Sequence, residues 1–366
     1  MAILNSTAKA IKQLLWLYFF FSVSSCSFFK SNSYRYTFQK DSLTSAMSME
    51  EVFAYDGCAS GVHFFHFTSG FTSLCVLENH HEIALLSFDN PKYKKVTIEI
   101  KDSIDELVAY QSSVYYFPAS GNCVKEIQIL NDACTEFRTI KHKLPPFLND
   151  SVFINARFAA PIVPISNNGF LIPYGVQNDS SINMIDTFAC AMILKDADAG
   201  YKLNRVFPFP AKYADRYEYS IRPISNYDKL TKTIYYTFQK IPTLYSYNLN
   251  TKKLDSVSLG KYAAVDYAQD KKSNMTYWRK YLTLNDYNKK LYCDDSSRVY
   301  LIKENNAGNK YKFEIHCYDK NLKEIAMTKL RDKLDTDISF LKKNKLYVYI
   351  SGSDNKFVTF SITDKL

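Results

Sequence analysis

Cys26 is the residue whose surroundings most directly predict a chemical reaction. It follows three small residues (VSS) and an apolar stretch (LLWLYFFF), which in turn follows two lysines. A charged start, an apolar stretch and small residues before a cleavage site form a secretory signal. A cysteine directly after that site resembles a bacterial lipobox, in which the thiol receives a diacylglycerol with acyl chains such as palmitate. We therefore expect residues 1–25 to be a lipoprotein signal peptide and residues 26–33 a lipidated tether.

Two alternatives for the N-terminal segment stay open. One alternative is an ordinary signal peptide that is cleaved without lipidation, and the other is an uncleaved transmembrane anchor. The apolar run 14–23 is roughly half of the ~20 residues that span a bilayer. Its length therefore favours cleavage, and lipid on Cys26 would attach the mature protein to a membrane of the cell envelope.

The other cysteines and the six histidines form no metal-binding or catalytic motif. No CxxC occurs, and no cysteine stands at zinc-ligand spacing from a histidine. His63 and His66 are three residues apart, which places them on opposite faces of a strand. GxSxG, HExxH and phosphate-loop motifs are absent. We expect no metal and no cofactor, while Cys123 and Cys134 flank one strand-turn-strand unit and could form a disulfide.

Aromatic and basic residues in two long spacers are the candidate binding residues. One spacer reads ADRYEYSIRP and contains Arg216, Tyr217 and Arg222, and the other reads MTYWRKY and contains Trp278 and Arg279. Exposed Trp, Tyr and Arg side chains stack on sugars and anchor protein partners. The alternative is that these aromatic side chains pack inside the fold.

The charge pattern argues against a nucleic-acid partner. The formal net charge is +9 at pH 7, from 46 Lys and Arg residues against 37 Asp and Glu residues. Basic and acidic residues alternate along the chain, as in KDKLDTD and KYKKVTIEIKD. Nucleic-acid binding needs basic residues clustered on one face, and no block of one sign appears in the sequence.

A repeated strand-turn-strand pattern predicts the fold class. The 29 tyrosines and 26 phenylalanines fall in short runs that alternate with polar residues between Asn, Asp or Lys turns, which is typical of strands. Further strand-like runs precede each copy, so one unit has four strands, as in a propeller blade. We predict an all-β fold with a single β-propeller of six four-stranded blades over residues 34–366, and seven blades as the alternative. The copies lie at 82–100, 124–140, 190–207, 243–259, 312–330 and 356–366.

The last copy stops at its turn and lacks the outer strand. A propeller without that strand would have an open strand edge. Residues 34–39 (YRYTFQ) alternate aromatic and polar residues. We predict that this N-terminal strand pairs beside residues 356–362 and closes the ring.

Two segments carry a resemblance to a known family. Residues 281–304 and 311–325, together with the SSC lipobox and the Tyr-rich units, resemble a Bacteroidetes lipoprotein family known only as a domain of unknown function. The resemblance covers most of the mature chain and implies a six-bladed propeller without an assigned catalytic residue. In proteins of this kind an early acidic cluster is associated with surface export, whereas here the first acidic residue after Cys26 is Asp41. The resemblance therefore implies an outer-membrane lipoprotein that faces the periplasm.

These patterns predict a lipid-anchored, non-catalytic propeller of the cell envelope that binds a protein or a glycan. One alternative is an envelope hydrolase or lyase with a site at the channel mouth, since propellers assemble sites from loops without a linear motif. Another is a purely structural envelope component. Converging carboxylates or histidines at the channel mouth would favour the enzyme, and aromatic residues with a basic rim would favour binding.

Overall fold

The structure is a computed structural model, and the residues that it describes form strands and turns. These residues contain no helix, and therefore no helix that could cross a membrane. The described ranges are 45–54, 59–66, 72–78, 81–87, 95–102, 104–110, 113–118, 123–129, 137–143, 152–153, 163–166, 169–173, 175–176, 188–196, 200–208, 223–239, 241–260, 262, 286–306, 311–330, 334–342, 344–350 and 356–364.

Within these ranges the strands form six four-stranded antiparallel sheets and one two-stranded sheet. Sheet 1 contains β2 (Ala59–His66), β3 (Thr72–Glu78), β4 (Glu82–Ser87) and β5 (Lys95–Glu99). Sheet 2 contains β6 (Ile104–Tyr110), β7 (Ser113–Pro118), β8 (Cys123–Ile129) and β9 (Phe137–Lys143). Sheet 3 contains β11 (Val163–Ser166), β12 (Gly169–Pro173), β14 (Phe188–Asp196) and β15 (Gly200–Pro208), and the two-stranded sheet pairs β10 (Val152–Phe153) with β13 (Gly175–Val176).

The remaining three sheets include both ends of the described chain. Sheet 4 contains β16 (Pro223–Asp228), β17 (Thr233–Phe238), β18 (Ile241–Asn248) and β19 (Leu254–Ser258). Sheet 5 contains β20 (Tyr287–Cys293), β21 (Val299–Glu304), β22 (Phe313–Tyr318) and β23 (Glu324–Leu330). Sheet 6 contains β24 (Leu334–Lys342), β25 (Lys345–Ile350), β26 (Lys356–Asp364) and β1 (Ser45–Ala54), in the order β24-β25-β26-β1.

The predicted strand-turn-strand repeat is confirmed as the outer half of sheets 1 to 5. In each of these sheets the third and fourth strands pair antiparallel within a predicted copy of the repeat. Asn248 and Asp319 close two of these hairpins, in agreement with the predicted Asn and Asp turns. The Asn248 side-chain oxygen accepts the N–H of Thr251 at 2.9 Å, and that of Asp319 accepts the N–H of Asn321 at 2.9 Å. Asn and Asp are suited to this position because their side chains replace a backbone acceptor.

The N-terminal strand that pairs with the last repeat is later in the chain than predicted. Residues 34–39 lie outside the described residues, and the strand beside β26 is β1, with Ser45 opposite Asp364 and Met49 opposite Phe360. The other edge of β26 pairs with β25. Since both edges of β26 are occupied, residues 34–39 cannot pair beside it as predicted.

The first strands of the six sheets contact one another in chain order. β2 contacts β6, β6 contacts β11, β11 contacts β16, β16 contacts β20 and β20 contacts β24. In addition, β24 of the last sheet contacts β2 of the first. Each sheet therefore has a neighbour on both sides through its first strand.

Tyrosine side chains join neighbouring sheets through the apolar ring and through the hydroxyl. Tyr235 of sheet 4 and Tyr300 of sheet 5 are 1% and 0% exposed. The Tyr235 hydroxyl donates to the Lys320 carbonyl of sheet 5 at 3.1 Å, and the Tyr300 hydroxyl donates to the Asn344 carbonyl of sheet 6 at 3.3 Å. A buried tyrosine supplies a large apolar ring and also satisfies its hydroxyl, which accounts for the use of Tyr between sheets.

The antiparallel order gives the sheets two different ends. At the first, which we call the hairpin end, turns such as 229–232 and 249–253 join the first to the second strand and the third to the fourth. At the opposite end, which we call the connection end, the chain leaves the fourth strand of one sheet for the first strand of the next. The connections 209–222 and 259–286 on either side of sheet 4 start and finish there.

We predict that deleting residues 45–54 lowers the protection of 356–364 from amide hydrogen exchange, because β26 then keeps only its pairing with β25 and has one unpaired edge. A milder variant is Met49→Pro, since proline cannot donate to the ladder. Deletion of residues 34–39 is the matched control and should leave that protection intact. Hydrogen-exchange mass spectrometry compares the three variants, and loss of protection only in the 34–39 deletion would contradict the pairing of β1 with β26.

Candidate functional site

The predicted binding residues fall in the two connections that border sheet 4. Arg216, Tyr217 and Arg222 belong to the connection from β15 to β16, and Trp278 and Arg279 to the connection from β19 to β20. All five lie outside the described residues, as does the predicted lipidation site Cys26. The described residues that flank both connections lie at the connection end, so the two predicted groups start from the same end of the same sheet.

Asn288, at the start of β20, links sheet 5 to sheet 4 at this end. It is 0% exposed. Its side-chain amide donates to the Phe238 carbonyl at 2.8 Å and the Thr237 hydroxyl at 3.0 Å, and its side-chain oxygen accepts the hydroxyl of Tyr262. Tyr262 belongs to the connection that contains Trp278. Asn288 therefore fixes the point from which that connection leaves sheet 4.

A row of buried charges crosses sheet 5 on the face that packs against sheet 4. Lys303 of β21 stands opposite Glu314 of β22, with Nζ 3.5 Å from the Glu314 carboxylate. The same carboxylate lies 3.2 Å from Nε2 of His316, and Nδ1 of His316 lies 2.5 Å from Glu324 on β23. Both ring nitrogens face a carboxylate oxygen and can donate together only if the imidazole carries both protons. The geometry therefore identifies His316 as an imidazolium.

The pKa shifts agree with this arrangement. Burial lowers the pKa of His316, but hydrogen bonds to Glu314 and Glu324 outweigh burial, so the pKa is raised above its ordinary value. Burial raises the pKa of Glu314, but the hydrogen bond from His316 and the charge of Lys303 bring it down to about 2. The structure therefore places the His316 ring in a paired, largely buried position.

A second charged group lies at the connection end of sheet 5, on the face opposite to the row of buried charges. The Tyr287 hydroxyl donates to the Glu304 carboxylate at 2.7 Å, and Nζ of Lys289 lies 3.3 Å from the same carboxylate. The Lys289 ammonium also lies 4.8 Å from the centre of the Tyr287 ring, within cation–π range. Burial raises the pKa of Tyr287 to about 12, so its hydroxyl stays protonated at neutral pH and donates.

Asn305 is the exception among these buried polar residues. It continues β21 towards the connection end, where its N–H donates to the Lys312 carbonyl at 2.7 Å. Asn305 is 3% exposed, and among the described residues neither its amide nitrogen nor its side-chain oxygen has a hydrogen-bond partner. An unpaired buried polar group costs about 1–3 kcal/mol. Asn305 therefore holds an unused donor and an unused acceptor beside groups that are already paired.

The chemistry available in the described part of the site is hydrogen bonding by neutral groups. The Asp286 carboxylate accepts the N–H of Asn306 at 3.1 Å, and the Glu304 and Glu314 carboxylates are bound as described above. No group of three or more His, Cys, Asp or Glu side chains in the described ranges is arranged to hold a metal ion. Of the predicted cysteine pair, Cys123 is a buried free thiol and Cys134 lies outside the described residues.

Sequence reasoning did not single out Asn288, Asn305 or Glu314. The polar positions of KE at 303–304 and of EIH at 314–316 are a signal that could have found the charged row, because opposite charges on paired strands stabilise a sheet. The roles of the two asparagines have no comparable signal, since they depend on contacts made by residues that are distant in sequence.

Comparison with known proteins gives matches at the level of the fold. No family model matches the chain, and no curated protein matches its sequence. The structure is similar to that of a DUF4221 family member from Bacteroides vulgatus, with a TM-score of 0.62 and 12% identity over 90% of this chain and 99% of that one. It is also similar to a protein from Bacteroides fragilis described as exported, with a TM-score of 0.52 and 12% identity over 88% of this chain and 96% of that one.

These similarities confirm the predicted resemblance as a shared fold. The chain has the same fold as a member of a Bacteroides family of unknown function over nearly its whole length.

We predict that His316 makes stability depend on pH above neutrality. An unfolded histidine has a pKa of about 6.5. Because the folded pKa is higher, the stabilisation from His316 is complete below about pH 6.5 and is lost as the pH rises through the folded value. Glu314 acts in the opposite direction: its stabilisation is complete above about pH 4.5 and is lost as the pH falls towards its folded pKa of about 2.

His316→Gln should lower the free energy of unfolding by about 3 kcal/mol at pH 6, since it removes one member of a buried charged group. The difference from the parent protein should shrink as the pH rises. Urea unfolding across the pH range measures it. His81→Gln, which changes an exposed histidine, is the control and should keep the parent profile; a constant difference for His316→Gln at all pH values would refute the imidazolium assignment.

Proposed function

We propose that the protein is a lipid-anchored, six-bladed β-propeller of the cell envelope that binds a neutral glycan at its connection end without catalysing a reaction. Four parts of this proposal have separate support: the ring, the anchor, the binding face and the absence of catalysis.

The ring is supported by the contacts between first strands. Six four-stranded sheets each contact the preceding and following sheet through that strand, and β24 contacts β2. A closed series of this kind is the geometry of a propeller, in which radial repetition leaves only short edges. In this arrangement β1 and β26 are the closing pair.

The anchor is supported by the sequence around Cys26. Two acyl chains on one cysteine give stable membrane attachment, since each buried CH₂ contributes about 0.8 kcal/mol. A location in the cell envelope also agrees with the exported protein from Bacteroides fragilis that shares the fold. The family resemblance extends this to an outer-membrane lipoprotein that faces the periplasm.

The binding face is carried by one observation, the unpaired amide of Asn305. A buried carboxamide that lacks partners fits a ligand with one donor and one acceptor side by side, as two neighbouring sugar hydroxyls provide. The charged groups around Asn305 are paired with one another, which favours a neutral ligand over an ionic one. The connections with Arg216, Tyr217, Arg222, Trp278 and Arg279 start at this end and would add aromatic and basic contacts.

The absence of catalysis is supported by the state of the carboxylates of sheet 5 and its flanking residues that lie near Asn305. A general acid or base needs a side chain free to exchange a proton with a substrate. Asp286, Glu304 and Glu314 are each hydrogen-bonded to protein groups. This favours binding over the alternative of an envelope hydrolase or lyase at the channel mouth.

We predict that Asn305→Leu keeps or slightly raises stability and abolishes glycan binding, because an apolar replacement removes an unpaired polar group. A glycan array identifies the ligand, and calorimetry compares the variants. Trp278→Ala combined with Arg279→Ala should also lose binding at an unchanged melting temperature. Asn250→Ala, an exposed change at the hairpin end, is the control. The glycan assignment would be overturned if the parent protein bound no glycan, or if Asn305→Leu bound glycan as well as the parent protein does. Capture of a protein in a way that depends on Trp278 would identify the ligand as a protein instead of a glycan.

We predict that Cys26→Ala leaves an unacylated precursor, because the thiol is the atom that receives the lipid. Detergent phase partitioning and intact mass measure the outcome. The parent protein should have the mass of residues 26–366 plus lipid and should enter the detergent phase. Normal processing and membrane retention in the variant would exclude lipidation at Cys26.

A further inference from the structure

Lysines that are dispersed in the sequence gather at one end of the fold. Eight lysines are exposed in the ranges where the structure describes exposure, and six of them lie in three turns at the hairpin end. We call these turns the lysine face. They are 229–232, which contains Lys229 and Lys232; 249–253, which contains Lys252 and Lys253; and 319–323, which contains Lys320 and Lys323.

Hydrogen bonds hold the three turns beside one another. The Leu249 N–H donates to the Lys232 carbonyl at 2.9 Å, which joins the two turns of sheet 4. The Tyr235 hydroxyl of sheet 4 donates to the Lys320 carbonyl at 3.1 Å, which joins them to the turn of sheet 5. The six ammonium groups therefore belong to one surface that spans two neighbouring sheets.

The aspartates in these turns are used locally. Asp228 is 3% exposed, and its oxygens accept the Leu230 N–H at 2.9 Å and the Thr231 hydroxyl at 2.6 Å. The Asp319 carboxylate accepts N–H groups of its own turn, and Asp255 pairs with Lys253 at 2.9 Å. In the described part of the chain, Lys232, Lys252, Lys320 and Lys323 form no ion pair. The surface therefore presents positive charge to a partner.

An exposed leucine lies among these lysines. Leu230, between Lys229 and Lys232, is 74% exposed, and Leu254 at the start of β19 is 45% exposed. These are the two exposed large apolar side chains among the residues whose exposure the structure describes. Lysines around an apolar side chain fit the boundary between lipid headgroups and acyl chains, where the ammonium groups contact phosphates and the apolar group inserts.

The chain enters the fold from the same end. Ser45, the first residue of β1, pairs with Asp364, the last residue of β26. Because third strands run from the connection end to the hairpin end, Asp364 and Ser45 lie at the hairpin end. The described strand that is nearest to Cys26 in sequence therefore starts at the end that carries the lysine face.

We propose that the lysine face docks on an anionic phospholipid surface, with the lysines on lipid phosphates and Leu230 in the headgroup region. Docking through the lysine face turns the connection end and Asn305 away from the membrane. This orientation of the whole protein rests on the proposed lipid anchor. The docking itself requires no acyl chain. Anionic lipid is favoured over nucleic acid by the exposed leucine and by the position of Ser45.

The test uses residues 26–366 with Cys26→Ala, which keep every described strand and carry no lipid. We expect this chain to sediment with vesicles of phosphatidylcholine plus phosphatidylglycerol, to leave vesicles of pure phosphatidylcholine, and to be released at high ionic strength. Each lysine near an anionic surface changes the partition coefficient about fivefold. Lys320→Gln with Lys323→Gln should therefore lower it about 25-fold, and addition of Lys232→Asn and Lys252→Asn should abolish sedimentation.

Asn is chosen at positions 232 and 252 because their φ angles, 57° and 58°, are in the left-handed region that Asn tolerates. The matched control is Lys101→Gln with Lys141→Gln, which removes two exposed lysines near the connection end and should leave sedimentation unchanged. Equal binding to both kinds of vesicle, equal loss in the two double variants, or binding to a DNA duplex but not to anionic vesicles would overturn the proposal. Because the tested chain carries no acyl chain, the result does not depend on whether Cys26 is lipidated in the natural protein.

Discussion

The pairing of β1 with β26 is the constraint on which the rest of the structure depends. Each of the other five four-stranded sheets comes from one continuous part of the chain, and only sheet 6 combines residues from both ends. Its third strand would otherwise present an unpaired edge. The pairing also fixes the end of the sheets at which β1 starts, because Ser45 lies opposite Asp364.

Contacts between sheets combine apolar area with directed hydrogen bonds. Tyr235 and Tyr300 bury their rings and donate to carbonyls of the next sheet, and the Asn288 side chain bonds to three residues of the preceding sheet. Loss of a buried aromatic ring costs about 3–5 kcal/mol, so each of these rings makes a large contribution to stability. The hydrogen bonds fix the position of each sheet relative to its neighbour, because they form only when the two sheets are correctly placed along their length.

The sequence was sufficient for the features that depend on local alternation. The outer hairpins followed from period-two patterns and from Asn and Asp turns, and Asn248 and Asp319 occupy their turns as expected. The N-terminal strand was wrong because YRYTFQ alternates more cleanly than SAMSMEEVFA, whose pairing with β26 is interrupted by a bulge between Glu51 and Phe53. Which of two candidate strands pairs with β26 depends on tertiary contacts that alternation does not encode.

The same limit applies to function, in opposite ways at the two ends. At the hairpin end, the sequence shows lysines interspersed with aspartates, and only the fold directs Asp228 and Asp319 to the turn amides and leaves the lysines exposed. At the connection end, the sequence shows an ordinary asparagine at 305, and only burial without a partner makes it a candidate for recognition. Short turns fixed by strand ladders hold charges in set positions, which suits a surface that contacts many equivalent phosphates. Long connections vary without disturbing the ladders, so the end that carries them is the one where selectivity for a particular ligand can evolve.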